Sequence, residues 1–386
     1  MSELDRLIQQ HCPNGVGFVG LGDICRIRTG KLNANAMVEN GEYPFFTCDA
    51  QPFRIDNYAF DTDAILISGN GSQVGHLHKY NGKFNAYQRT YVLDDFALFI
   101  TKDFLYHFLG AYLKPYILAN CKKGSVPYIT LPMLQNFRIP VPPIEVQREI
   151  VRILDNFTEL TAELTAELTA RKKQYEYYRD ELLSLPDVPR MPLSQLTLKV
   201  GSINWKATDG TRKYIDLSSV DRDTHSIIDA DILEVSADNA PSRAKQLIQE
   251  NDILFGGTRP MLKRYCIVPA EYDKHVCSTG YCVLRVDAKK ALTNYVYHCL
   301  GTSEFYRYVE ANQQGASYPA IGDKVLKDYT IPVPTLAMQK KIATVLDRFN
   351  ILCNDIAAGL PAEIEARQKQ YEYYRDKLLT FKEMSE

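Results

Sequence analysis

Net charge is what this chain most conspicuously lacks. Its 386 residues carry 45 Lys and Arg against 47 Asp and Glu, a formal net charge of −2, so any attraction to phosphate has to come from local basic clusters or from partners rather than from overall charge. No apolar run reaches membrane-spanning length and no basic-then-apolar leader opens the sequence, so a cytoplasmic protein without a membrane partner is expected. The nine cysteines include no Cys-x-x-Cys pair, which argues for reduced thiols and against a disulfide framework or zinc site. Asn-Pro-Pro-Tyr and Asp-Pro-Pro-Tyr motifs are missing, as is a methyltransferase-type glycine loop. Gly69-Asn70-Gly71 and Gly256-Gly257 lack the lysine and spacing of a phosphate-binding loop. No cofactor and no catalytic residue is therefore expected.

What the chain does have is itself, written twice. Gln174–Asp180 and Gln370–Asp376 both read Gln-Tyr-Glu-Tyr-Tyr-Arg-Asp, within a stretch of 15 residues from Arg171 and from Arg367 that is identical at 11 positions. Ile139-Pro140-Val141-Pro142 returns as Ile331-Pro332-Val333-Pro334, and Leu154-Asp155 as Leu346-Asp347. Ile65 aligns with Ile253, Ile139 with Ile331 and Arg171 with Arg367, offsets of 188, 192 and 196. Small insertions between duplicated halves produce such a drift.

The repeat predicts four segments: a globular domain over 1–143, a helix over 144–185, a second globular domain over 186–334 and a distal helix with tail over 335–386. After Pro142-Pro143 the first helix carries an apolar stripe of Val146, Ile150, Ile153, Phe157, Leu160, Leu164, Leu168, Tyr175, Tyr178, Leu182 and Leu185, the spacing of a coiled-coil seam. The second helix repeats it through Met338, Ile342, Leu346, Phe349, Leu352 and Ile356, is broken or kinked at Gly359-Leu360-Pro361, and resumes at Ile364. Two such seams in one chain pack most simply as antiparallel helices separating two globular domains. Strand-like runs at Ala64–Ser68, Thr90–Leu93, Ile253–Phe255 and Cys282–Val286, followed by helical patterns over Phe104–Leu118 and Tyr295–Val309, predict mixed α/β domains. The expected fold is thus α/β, with two domains, two long helices and a pseudo-twofold internal repeat.

Between Phe157 and Arg171 lies a tract of Thr-Ala-Glu-Leu repeats. That tract, the Tyr-Glu-Tyr-Tyr-Arg-Asp phrase in each helix and the alternation of domains with helices resemble the specificity subunit of a type I restriction-modification enzyme, along the whole chain. The resemblance implies two target-recognition domains, each reading one half of a split double-stranded DNA sequence, with helices that set the gap. It also implies two methyltransferase (modification) subunits as partners, restriction subunits in the full complex, and no chemistry by the chain itself. A self-contained methyltransferase or nuclease, and a coiled-coil scaffold joining two protein-binding domains, are the rival readings.

Candidate DNA contacts come from loops at matching places in the repeat. In the first half they are Ser68, Asn70, Ser72, Gln73, His76, Lys79, Lys83 and Arg89, with Lys122, Lys123, Ser125 and Tyr128 in a second loop. In the second half they are Thr258, Arg259, Lys263 and Arg264, with Gln313, Gln314, Ser317 and Tyr318 as the counterpart of the second loop. Arginine suits guanine, Asn and Gln suit adenine, and lysine anchors phosphate. Taken singly, each basic cluster also fits ordinary solvated surface. His76 and His78 have strand spacing for a metal but no ligand companion, so a polar surface or DNA contact is preferred. Tyr175, Tyr177, Tyr178, Arg179, Tyr371, Tyr373, Tyr374 and Arg375 are expected to dock the partner subunits. The alternative is that these tyrosines pack on the neighbouring globular domain.

Overall fold

The computed structural model describes residues 3–121, 126–355 and 358–384. It divides into two compact units, one of residues 1–162 with 367–386 and one of residues 163–366.

In the first unit a six-stranded sheet runs, edge to edge, Arg26–Thr29, Thr90–Asp94, Phe60–Ser68, Leu77–Ala86, Tyr43–Phe46 and Phe53–Ile55. All neighbours are antiparallel except Tyr43–Phe46 beside Leu77–Ala86. Ala64-Ile65-Leu66-Ile67 in the central strand is wholly buried, as a continuous apolar run requires when both faces are covered. Alternation then divides the run. Ile65 and Ile67 join the core that includes Phe104, Phe108 and Leu113 of the Lys102–Asn120 helix, while Ala64 and Leu66 join Phe46, Phe60 and Phe84 on the other face.

The second unit has two four-stranded sheets. One orders Thr197–Leu198, Tyr281–Val286, Ile253–Gly256 and Tyr265–Ile267, and the other Leu233–Val235, Arg212–Ile215, Val276–Ser278 and Ala244–Leu247. Ile253-Leu254-Phe255 behaves as its counterpart does: Ile253 and Phe255 enter one core and Leu254 another.

Ile144–Leu183 is a single helix. Its first turns do not form a seam of even depth. Val146, Ile150 and Leu154 are fully buried in the first core, whereas Leu160 is 45% exposed. The stripe therefore belongs partly to a globular core, which the periodicity alone did not separate from a seam. In the second copy the helix stops: Leu336–Asn354 ends and Leu360–Leu378 begins afresh. Gly359 donates to the Asp355 carbonyl, and a Cβ there would collide with the Ile351 carbonyl oxygen. Pro361 then sits in a first turn, where its missing N–H costs no helical bond. Ile356 of the expected stripe lies outside the described residues.

The pattern expected as one helix over Tyr295–Val309 is in fact two, Thr293–Cys299 and Ser303–Asn312. Thr302 caps the second by accepting from the Phe305 amide. A Cβ at Gly301 would lie 2.8 Å from the Tyr265 hydroxyl and 3.0 Å from Arg179 Nη1, so close packing by distant residues sets the break.

Buried polar groups carry the repeat into tertiary structure. Gln147 accepts from the Thr101 amide at 2.8 Å and donates to the carbonyls of Phe99 and Pro142 at 2.9 and 2.7 Å. Gln339 does the same with Leu292 at 2.9 Å and with Lys290 and Pro334 at 3.3 and 2.9 Å. His107 meets Asp155, and His298 meets Asp347, each at 2.8 Å. The C-terminal residues complete the first unit. Leu379 is buried in its core, Phe381 packs against Phe104, and Lys382 accepts from the Val16 amide at 2.9 Å. Leu183 and Leu185 make the corresponding contribution to the second.

Candidate nucleic-acid interface

In each unit the loop after the central strand is tied by backbone bonds to the loop before the last helix-strand segment, so the two candidate loops are one site. In the first unit Gly69 donates to the Arg89 carbonyl at 2.9 Å and accepts from Ile129 at 2.9 Å, and Gly71 donates to Pro127 at 3.1 Å. In the second, Gly257 donates to Gly280 at 2.8 Å and accepts from Ile321 at 2.9 Å, and Arg259 donates to Pro319 at 2.6 Å. Asn70 lies opposite Tyr128, and Thr258 opposite Ala320. The backbone thus matches Tyr128 with Ala320.

Both loops need left-handed residues four apart. Gly71 and Gly75 supply them in the first unit, with φ of 85° and 80°, and Arg259 and Lys263 in the second, with φ of 49° and 55°. Val74 donates to Gly71 at 3.1 Å and Leu262 donates to Arg259 at 3.0 Å, so the turn is the same.

The candidate residues do not all reach these loops. Ser68 is the last residue of its strand and only 1% exposed, with its hydroxyl unpaired, so it is interior and does not line the loop as expected. Asn70 is half-buried and accepts from Cys48 Sγ at 3.1 Å. Ser72 and Gln73 are exposed. His76 and His78 stack edge to face at 4.6 Å, and burial followed by repulsion from His76 lowers the His78 pKa. Lys79 is bonded to Asp103 at 2.9 Å and lies over the Tyr106 ring. Lys83 lies over Tyr58 and stands opposite Asp61 in the strand register, at the other end of the hairpin from Ile67 and Leu77. At roughly 3.4 Å per residue it stands about 20 Å from the turn, which corrects its grouping with the loop. Arg89 does belong there: with Asn70, Gln88, Tyr128 and Thr130 it lines a cleft of about 360 Å³. Gln88, bonded to Asn33 at 3.0 Å, was missed by sequence reasoning, which singled out the charge of its neighbour Arg89 on the same turn between Leu77–Ala86 and Thr90–Asp94. Lys122, Lys123 and Ser125 lie outside the described residues.

In the second unit Thr258 and Arg264 are half-buried, and Arg259 and Lys263 are exposed. Arg259 lies 4.4 Å from the Tyr318 ring and Lys263 4.8 Å from that of Tyr306. The Gln314 and Ala320 backbones bond each other at 2.8 Å in both directions, leaving Ser317 and Tyr318 on an exposed bulge. Gln313 is half-buried with its Oε1 unpaired.

Residues 13–171 and 190–366 match the model of the type I restriction modification DNA specificity domain. The chain belongs to the specificity subunits of type I restriction-modification systems. It is 30% identical over 365 residues to the EcoR124I/EcoR124II specificity subunit of Escherichia coli, covering 83% of this chain and 87% of that one. To a putative type I specificity subunit of Haemophilus influenzae it is 29% identical over 372 residues, 89% of each. The crystal structure of the S subunit from M. genitalium shares its fold at a TM-score of 0.58 and 15% identity, over 95% of this chain and 96% of that one.

In this specificity subunit each Tyr-Glu-Tyr-Tyr-Arg phrase sends its tyrosines three ways. Tyr175 is buried, and its hydroxyl bonds His298 Nδ1 at 2.9 Å. Burial lowers the His298 pKa against the pull of Asp347. A neutral ring fits that geometry, with Nε2–H donating to Asp347 and Nδ1 accepting from Tyr175. Arg179 is also buried, against Tyr175 and Asp180. These two residues are thus buried within the second unit, and the expectation that they dock a partner is corrected. Tyr371 is half-buried against the first core, with Arg375 over its ring. Tyr178 stacks on Phe349 and Tyr374 on Phe157. Tyr177 and Tyr373 are 64% and 63% exposed. Among the described residues no group of three or more His, Cys, Asp or Glu could hold a metal, and no helix is long and apolar enough to cross a membrane.

Proposed function

We propose that this chain reads a bipartite double-stranded DNA target for a type I restriction-modification complex, acting in the cytoplasm and without chemistry of its own. Residues 1–143 and 186–334 each take one half-site, the helices over 144–185 and 335–386 set the unread gap, and two modification subunits dock on exposed helix faces. Restriction subunits join the full complex.

The observation that carries this reading is a loop pair with one backbone design and two different sets of side chains. Gly69 and Gly257 make equivalent bonds, while Asn70, Gly71, Ser72 and Gln73 become Thr258, Arg259, Pro260 and Met261. A retained frame with exchanged polar groups suits two readers of different sequences. Both loops stand on sheet ends, and Tyr177 and Tyr373 remain uncovered for partners. The near-zero charge favours binding that is weak alone and tight in the complex.

The test is a domain exchange. Residues 1–143 are replaced by another recognition domain, the chain is expressed with its modification subunits, and the methylome is sequenced. One half of the methylated motif changes and the other stays; a change in both halves refutes the division of labour.

A further inference from the structure

We propose that Arg259 reads a guanine in the half-site of the second recognition domain, with Tyr318 holding its guanidinium ready. This rests on the reading of the chain as a DNA-specificity subunit and adds the residue and the base.

The backbone supplies the first reason. Positions 71 and 259 are equivalent, both left-handed, and the first unit fills its position with glycine. A side chain in that region is disfavoured by its own Cβ. An arginine standing where glycine fits better points to a role for its side chain.

The side chain supplies the second. Arg259 is exposed, and no carboxylate among the described residues pairs with it. Its guanidinium lies 4.4 Å from the centre of the Tyr318 ring, itself 68% exposed. Such stacking orders the planar fork while leaving its N–H edge free, and that edge matches O6 and N7 of guanine. Lys263, at the other left-handed position, has a compact ammonium suited to phosphate.

Comparison of the halves supplies the third. The carbonyl that receives the Gly69 amide belongs to Arg89, and the one that receives the Gly257 amide belongs to Gly280. Arginine and glycine have exchanged places: Gly71 with Arg89 in one unit, Arg259 with Gly280 in the other. An arginine serving the scaffold would keep its position in both copies, because the backbone bonds do. A base reader has no such constraint.

The decisive variant is Arg259→Gly, which suits the left-handed backbone and so leaves the loop intact. Methylome sequencing of cells expressing it with the modification subunits should show one guanine of the second half-site relaxed to other bases, and the first half-site unchanged. Tyr318→Ala should weaken the same discrimination and Tyr318→Phe should retain it. In parallel, the assembled wild-type complex should bind a target carrying 7-deazaguanine at that position about tenfold more weakly, and the Arg259→Gly complex should not distinguish the two duplexes. A variant that still demands guanine, or relaxation confined to the first half-site, overturns the assignment. A wild-type complex that methylates no bipartite motif overturns the specificity reading as well, which separates the two failures.

Discussion

Asn70 and Gln73 occupy the loop that in the other half carries Arg259 and Met261, and they differ from Ser68 in what they present. Ser68 ends a buried strand with its hydroxyl turned inward, whereas Gln73 is exposed and Asn70 lines the cleft beside Arg89. Alanine at Asn70 and Gln73 together should relax the first half-site, at about 1–3 kcal/mol for each lost base contact. Methylome sequencing should find the second half-site intact, and size-exclusion chromatography should find normal assembly. His225 makes a separate prediction about pH. Its ring packs 4.3 Å from Tyr265, its Nδ1 is unpaired, and burial lowers its pKa to about 4. The unfolded chain takes up this proton near pH 6.5 and the folded chain only near 4. Stability from this group is therefore fully present above pH 6.5 and lost as pH falls to about 4, by about 3 kcal/mol. His225 is left-handed, with φ of 54°; His225→Asn tolerates that backbone and does not titrate, so denaturation between pH 4 and 7 should show a flatter profile for the variant.

At the scale of elements, the helices show how far periodicity carries. Proline placement and a run of apolar residues made Ile144–Leu183 legible as one long helix from its own residues. The same reasoning failed over Tyr295–Val309, because the break at Gly301 answers to Arg179 and Tyr265, which are remote in sequence. The Thr-Ala-Glu-Leu tract offers a test that depends on local structure alone. One further unit after Leu168 lengthens the helix by about 6 Å, while a base pair adds about 3.4 Å of rise. It should increase the gap in the methylated motif by one base pair and leave the half-site bases unchanged, since the loops proposed to read them are untouched. Methylation at the original spacing would remove the ruler role from this tract.

For the molecule as a whole, the C-terminal residues are part of the first unit's core. Leu379 is 1% exposed there, in the same core as Phe104 and Leu105. Leu379→Ala should destabilise that unit by about 2–5 kcal/mol, visible as a lowered transition on thermal melting, and should weaken the proposed reading of the first half-site more than the second. The sequence by itself determined the duplication, the α/β class, the long helix and the two loops in each half that deserved scrutiny. These depend on residue type and spacing along the chain. Tertiary structure decided that the paired loops are bonded together, that Gln88 lies beside Arg89 there and Lys83 does not, and that Tyr175 and Arg179 turn inward while Tyr177 and Tyr373 stay exposed. Sheet registration and packing against sequence-distant partners settle such placements. A left-handed arginine at position 259 is likewise invisible in the sequence, because φ is set by the bonds of Gly257 to Gly280 and Ile321 and of Arg259 to Pro319.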